Sequence, residues 1–173
     1  MDHPVLYLDF DGCLHADDVR LIRGRPAVFV DGKPSNLPLF EYAPLLEQLL
    51  QPYPEVCIVL CTSWVKGLTF SRAKRYLPPN LKQRVVGATW HTGMRFQSID
   101  DFDVLSRYET IINDAARRRN DRWLALDNDT EGWPLEKRDR VVAPTDPVLA
   151  LAQPGIAEEL AAKLALLCCR AQG

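Results

Sequence analysis

Val5-Leu6-Tyr7-Leu8-Asp9-Phe10-Asp11-Gly12 decides how this chain is read. The first four residues form an unbroken apolar run, the pattern of a strand covered on both faces. The run stops at two carboxylates one residue apart, then a glycine. A strand sends residues two apart to the same side. If the chain turns at Gly12, both Asp9 and Asp11 point into one pocket at the strand's C-terminal end. Carboxylates that close repel each other, which favours a bound cation or a shifted pKa. An ordinary strand followed by an Asp-Gly turn produces the same letters, so this stretch needs support from elsewhere in the chain.

The pattern recurs. Val56-Cys57-Ile58-Val59-Leu60-Cys61 is a second apolar run and ends in Thr62-Ser63-Trp64. Trp123-Leu124-Ala125-Leu126 is a third and ends in Asp127-Asn128-Asp129. Val85 to Thr89 and Val141 to Ala143 read as weaker strands. Helices are expected between them. Pro44 suits the first turn of one, with Leu45, Leu46, Leu49 and Leu50 on one face and Pro52 and Pro54 ending it. Another runs from Thr69 to about Tyr76, stopped by Pro78-Pro79. Ser106 and Glu109 match a capping box, and the helix behind them places Tyr108, Ile111, Ile112, Ala115 and Ala116 on one face. A closing amphipathic helix from Glu158 to Cys169 turns Leu160, Leu164 and Leu167 inward. Val19 to Ile22 and Ala27 to Val30, around Arg23-Gly24-Arg25-Pro26, read as a small hairpin closed by Asp31-Gly32 and lying over the acidic loop. Met94 to Val104 is polar and carries no assignment.

Strands alternating with helices predict an α/β fold, a parallel sheet with helices on both faces. Ligands of such sheets bind outside the carboxyl ends of the strands. Asp9 and Asp11, Thr62 and Ser63, and Asp127 to Asp129 all fall there. Three runs ending in polar residues at one edge outweigh the turn-only explanation.

With 173 residues, 47% of them hydrophobic and 25% charged, the chain is expected to be one soluble domain spanning residues 1–173. A net charge of −2 gives no broad basic excess for bulk nucleic-acid binding. Arg117-Arg118-Arg119 reads as a solvated helix end. Five cysteines without regular spacing predict a reduced, cytoplasmic chain rather than a disulfide framework. No signal-like segment or membrane-length apolar run is found.

Clustered carboxylates without a His or Cys ligand set suit magnesium rather than zinc. Magnesium usually shares its shell with a phosphate, whose other oxygens a hydroxyl such as Thr62 and a cation such as Arg107 or a lysine would hold. A carboxylate can attack phosphorus, and a second can move the protons.

Asp9-Phe10-Asp11-Gly12 after an apolar strand resembles the first motif of the haloacid dehalogenase (HAD) superfamily of phosphohydrolases. Thr62 resembles its second motif, and Asp127 its fourth. The resemblance implies a three-layer α/β/α Rossmann-like core, with the small hairpin flap standing in place of a cap domain. It implies a magnesium-dependent phosphatase in which Asp9 is the nucleophile and Asp11 the general acid/base. Asp9, the backbone carbonyl of Asp11, and Asp127 would hold the metal, and Thr62 with Ser63 the phosphate. For the third motif, a cation that neutralises the phosphate, Arg107 is the choice and Lys66 and Lys74 are alternatives. Asn128 stands where the fourth motif commonly has a second acid, so Asn128 or Asp129 supports the metal through water. Members without a large cap often act on large substrates, so the phosphorylated partner is a small molecule, a nucleic-acid end or a phosphoprotein. Similar cap-less domains occur in RNA-repair proteins, and the Thr62-Ser63-Trp64 region is reminiscent of them. A non-catalytic HAD-like binding module and a phosphoryl transferase are the alternatives. Trp64 is read as packing or stacking on a ring, Cys13 as a small buried side chain, and His15, Trp90 and His91 as minor candidates for substrate contact.

Overall fold

The computed structural model describes residues 3–90 and 105–169. Its centre is a five-stranded parallel sheet: β1 (Val5–Leu8), β5 (Cys57–Leu60), β6 (Val85–Ala88), β7 (Trp123–Leu126) and β8 (Val141–Val142). The spatial order is β6-β5-β1-β7-β8. The chain builds outward from β1 on one side, then crosses over to β7 on the other, so the strand order reverses at β1. That reversal opens a crevice beside β1, where open α/β sheets bind ligands.

Period-2 alternation supplies both faces of the core. Leu6, Leu8, Ile58, Leu60, Leu124, Leu126 and Val142 pack on one side. There they meet α1 (Ala43–Leu50), α3 (Phe70–Arg75), α4 (Pro79–Arg84) and α6 (Ile156–Cys169). Val5, Tyr7, Val59, Cys61, Trp123, Ala125 and Val141 face the other side, under α5 (Arg107–Arg118) and Trp133. This is the expected α/β/α core: each short strand is buried on both faces, which is why the runs read as continuous rather than alternating.

α5 begins with the expected capping box. The Ser106 hydroxyl accepts from the Glu109 amide, and the Glu109 carboxylate accepts from the Ser106 amide at 2.8 Å. The buried stripe of α5 also includes a carboxylate, Asp114. It accepts from Tyr7 Oη at 3.0 Å and from Arg118 Nε at 2.5 Å, and it also pairs with Arg117.

One expectation is corrected, and two helices are new. The flap has three strands rather than two: β2 (Val19–Ile22), β3 (Arg25–Val30) and β4 (Lys33–Pro34). Arg23-Gly24 closes the first hairpin and Asp31-Gly32 the second, each pair with φ positive at both residues. The expected helix from Thr69 to Tyr76 is α3, with Thr69 and Tyr76 as its caps, and a short helix not expected from the sequence, α2 (Trp64–Leu68), precedes it and ends at Thr69, whose φ is 90°. Pro78-Pro79 does not simply stop the chain. Pro79 occupies the first turn of α4, where its missing N–H has no intrahelical partner to lose.

Candidate active site

One register rule builds the site. Leu8 pairs with Leu60 on one side and Leu126 on the other, so the three strands end level. The next amide of each strand reaches the last carbonyl of its neighbour: Thr89 to Leu60, Cys61 to Leu8, Asp9 to Leu126 and Asp127 to Val142, at 2.8–3.1 Å. This rim fixes the backbone of Asp9, Cys61 and Asp127 before any side chain is considered. Thr62 follows by one residue.

Asp9 is only 4% exposed and Asp127 is fully buried. Arg107 lies between them. Its Nη2 is 3.4 Å from Asp9 Oδ2, its Nε is 3.1 Å from Asp127 Oδ2, and its Nη1 donates to the Cys61 carbonyl at 2.6 Å. A cation on the first residue of a helix opposes the helix dipole; here two carboxylates and a carbonyl offset that. Burial works against the guanidinium charge, yet Asp9 and Asp127 hold it on and raise its pKa above the ordinary value.

Burial pushes Asp9 up to about 6, against the pull of Arg107, with the Asp11 charge adding to the rise. Burial also drives Asp127 well above the usual carboxylate range, and the Asp9 charge pushes the same way. Two buried carboxylates share one guanidinium, so the centre is short of positive charge. Asp127 Oδ1 accepts from the Asp129 amide at 3.0 Å, whereas buried Oδ2 takes no aligned hydrogen bond. Hard oxygens, one of them lacking a hydrogen bond, fit a small hard cation. Among the described residues no three His, Cys, Asp or Glu side chains form a ready-made cage. The fit is to an ion that keeps waters and shares its shell with a phosphate.

Asp11 is held differently. Its side chain is 23% exposed, and Trp64 Nε1 donates to both its oxygens at 2.9 and 3.0 Å. His15 Nε2 lies 2.9 Å from Oδ1. His15 is fully buried, beneath Asp11 and against the rings of Phe40 and Trp64, so it does not reach a leaving group. The carboxylate of Asp11 is therefore turned to these two rings.

Gly12 has φ +66°, and a Cβ there would lie 2.2 Å from Asn128 Nδ2. Asn128 in turn donates to Asp17 Oδ1 at 3.0 Å, tying the acidic loop after β1 to the one after β7. Thr62 is buried, and its hydroxyl helps hold the pKa of Asp9 down. It accepts from the Trp64 amide at 3.3 Å. A cavity of about 200 Å³ opens beside it, lined by Thr62, Ser63, Lys66, Trp90, Arg107 and Asp129 among others. Ser63 and Lys66 are exposed at its edge. Lys74, offered as an alternative third-motif cation, donates instead to the carbonyl of Val85 at 3.0 Å, at the start of β6 and the far end of the sheet. Cys13 is fully buried. His91 and the stretch 94–104 lie outside the described residues.

Residues 5–156 match the family model described as the HAD domain in Swiss Army Knife RNA repair proteins. No curated protein and no solved structure matches. The match spans most of the chain, and this protein belongs to that HAD family.

Proposed function

We propose that this HAD domain is a magnesium-dependent phosphatase acting through an aspartyl-phosphate at Asp9. The observation that carries it is the meeting of Asp9, Asp127 and Arg107 at the strand-order reversal, with Asp11 pinned nearby by two ring N–H groups. The carboxylates of Asp9 and Asp127 and the backbone carbonyl of Asp11 would hold the metal. When bound, magnesium supplies the positive charge this pair lacks and draws electron density from the phosphate oxygens.

An Asp9 oxygen attacks phosphorus as the bond to the leaving oxygen breaks. Asp11 gives that oxygen its proton. Asp11 then takes a proton from a water, the water attacks phosphorus, and the Asp9 carboxylate is released with inorganic phosphate. Arg107 and the Thr62 hydroxyl stabilise the charge on the transferring group. The name of the matched family favours phosphorylated RNA ends as the substrate class.

The test is phosphate release from an aryl phosphate, with and without magnesium, for the wild type and Asp9→Asn. Magnesium-dependent turnover that disappears in the variant is expected. Turnover that survives Asp9→Asn rules out the covalent mechanism.

A further inference from the structure

The loop that leaves the flap reaches Asp11 through one buried histidine. The chain departs from β4 at Ser35, whose amide donates to the Val28 carbonyl at 2.8 Å, and arrives at Phe40 just before α1. Phe40 has a φ of +59°, a conformation that a residue with a Cβ rarely adopts. Strain of that kind persists only where the surroundings enforce it. The Phe40 carbonyl accepts from the Ala43 amide at 3.1 Å. Its ring packs edge-on against Phe10, His15 and Trp64, with centroids 4.7–5.5 Å apart. Held this way, the Phe40 amide meets Nδ1 of His15 at 3.3 Å.

A backbone N–H can only donate, so Nδ1 must present a lone pair. A ring with its lone pair on Nδ1 carries its proton on Nε2. That nitrogen lies 2.9 Å from Asp11 Oδ1 and donates to it. His15 is fully buried, so solvent does not compete for either ring nitrogen. Trp64 Nε1 donates to the same Oδ1 at 2.9 Å, and shares its hydrogen with Oδ2 at 3.0 Å. Both lone pairs of Oδ1 are therefore filled. A proton on this acid needs a lone pair, and Oδ2 supplies one when the shared hydrogen of Trp64 settles on Oδ1.

We infer that His15 is a positioning residue for Asp11: set as a donor by the Phe40 amide, it closes Oδ1 and leaves Oδ2 to carry and pass the proton. In the first step the Oδ2 proton moves to the oxygen leaving phosphorus. In the second, Oδ2 takes a proton from the attacking water, so Asp11 ends as it began. The inference rests on the phosphatase reading for the use of that proton, and on the hydrogen bonds alone for the state of the ring.

The first measurement is the tautomer of His15 in the wild type, by long-range proton–nitrogen NMR, with its signals assigned by their loss in His15→Gln. One proton, on Nε2, is expected. A proton on Nδ1, or on both nitrogens, overturns the inference. The second is steady-state kinetics. His15→Phe keeps a ring beside Phe40 and Trp64 and removes the donor. Its kcat for an alkyl phosphate is expected to fall about tenfold, a part of what a general acid contributes, with KM unchanged. A nitrophenyl phosphate, whose leaving group departs without a proton, should lose much less, and that activity also reports that the variant is folded. His15→Gln, whose side-chain N–H can stand in for the Nε2 donor, should recover part of the alkyl-phosphate rate. Equal losses on the two esters, or no recovery in His15→Gln, reduce His15 to packing and overturn the inference. The two readings fail separately: a wild type inactive on both esters removes the phosphatase, whereas a proton on Nδ1 in an active enzyme removes only the role of His15.

Discussion

Trp64 Nε1 donates to both oxygens of Asp11, at 2.9 and 3.0 Å. His15 Nε2 adds a contact at 2.9 Å, while its Nδ1 accepts from the Phe40 amide at 3.3 Å. A lone pair at Nδ1 puts the proton of a neutral ring on Nε2, so the hydrogen-bond network assigns both rings as donors to Asp11. A carboxylate with both oxygens engaged has one orientation.

That orientation matters when a leaving group needs a proton. Trp64→Phe keeps an aromatic ring among Phe10, Phe40 and Tyr76 and removes only the N–H. The specificity constant kcat/KM for an alkyl phosphate is expected to fall about tenfold, a part of the roughly 10²–10⁴-fold that a general acid contributes. A nitrophenyl phosphate, whose leaving group departs unaided, should lose much less. Equal losses for the two substrates would mean that Trp64 serves packing alone.

Stability should depend on pH through Asp9. Its folded pKa of about 6 lies above the ordinary carboxylate value. Below about pH 4 both folded and unfolded chains hold the proton, and Asp9 costs nothing. Above about 6 the folded state carries a buried charge that the unfolded chain keeps in water, so the contribution is lost as pH rises through that window. In chelator, Asp9→Asn should therefore be more stable than the wild type at about pH 7.5, by on the order of 2–3 kcal/mol, and comparable at about pH 4. Urea melts at the two pH values check this, and a constant difference contradicts it.

Arg107 occupies Oδ2 of both carboxylates. Arg107→Ala should free those oxygens, tightening magnesium binding by about tenfold in calorimetry, or roughly 1.4 kcal/mol. The same variant should lose inhibition by vanadate, an oxyanion that mimics the transferring phosphoryl group. Arg107→Lys should recover part of that inhibition but not the two-sided contact, because a lysine is a point charge without the planar fork. Weaker magnesium binding in Arg107→Ala would show that Arg107 instead organises the carboxylates for metal.

Gly12→Ala asks for a Cβ 2.2 Å from Asn128 Nδ2, at a φ of +66°. The loop would have to shift and break the Asn128–Asp17 contact. A loss of about 2–3 kcal/mol in denaturant melts is expected, combining backbone strain with the clash. Asn128→Ala in the same protein should recover part of it. A fully stable Gly12→Ala would mean that the two acidic loops move independently.

What the sequence revealed about this site followed from strand chemistry. Runs such as Val5–Leu8 and Trp123–Leu126 announce their own ends, and polar residues at those ends mark the rim. Arg107 was identifiable because a cation opening a capped helix works against the dipole. The parts hidden from the sequence depend on distant packing. Trp64 reads as packing or ring stacking and His15 as a minor candidate for substrate contact, because nothing local shows that their N–H groups meet one carboxylate, 53 residues away for Trp64. The short helix α2 before Thr69 left no sign of its own end, because a non-glycine residue at φ 90° has no letter code. The turn around Arg23-Gly24 was legible, but the third strand, Lys33–Pro34, was not, because two residues are too few for a period-2 pattern.

The central place of β1 also has a consequence for how the chain acquires its shape. Its edges are closed only by β5 and β7, and β7 lies more than a hundred residues downstream. Contacts so far apart are slow to form. Until Trp123–Leu126 arrives, β1 presents a bare apolar edge, the template on which other chains pair. A chain halted short of Trp123 should therefore gather into aggregates rather than persist as a smaller, weaker domain, since the Asp9 amide is held by the last carbonyl of β7.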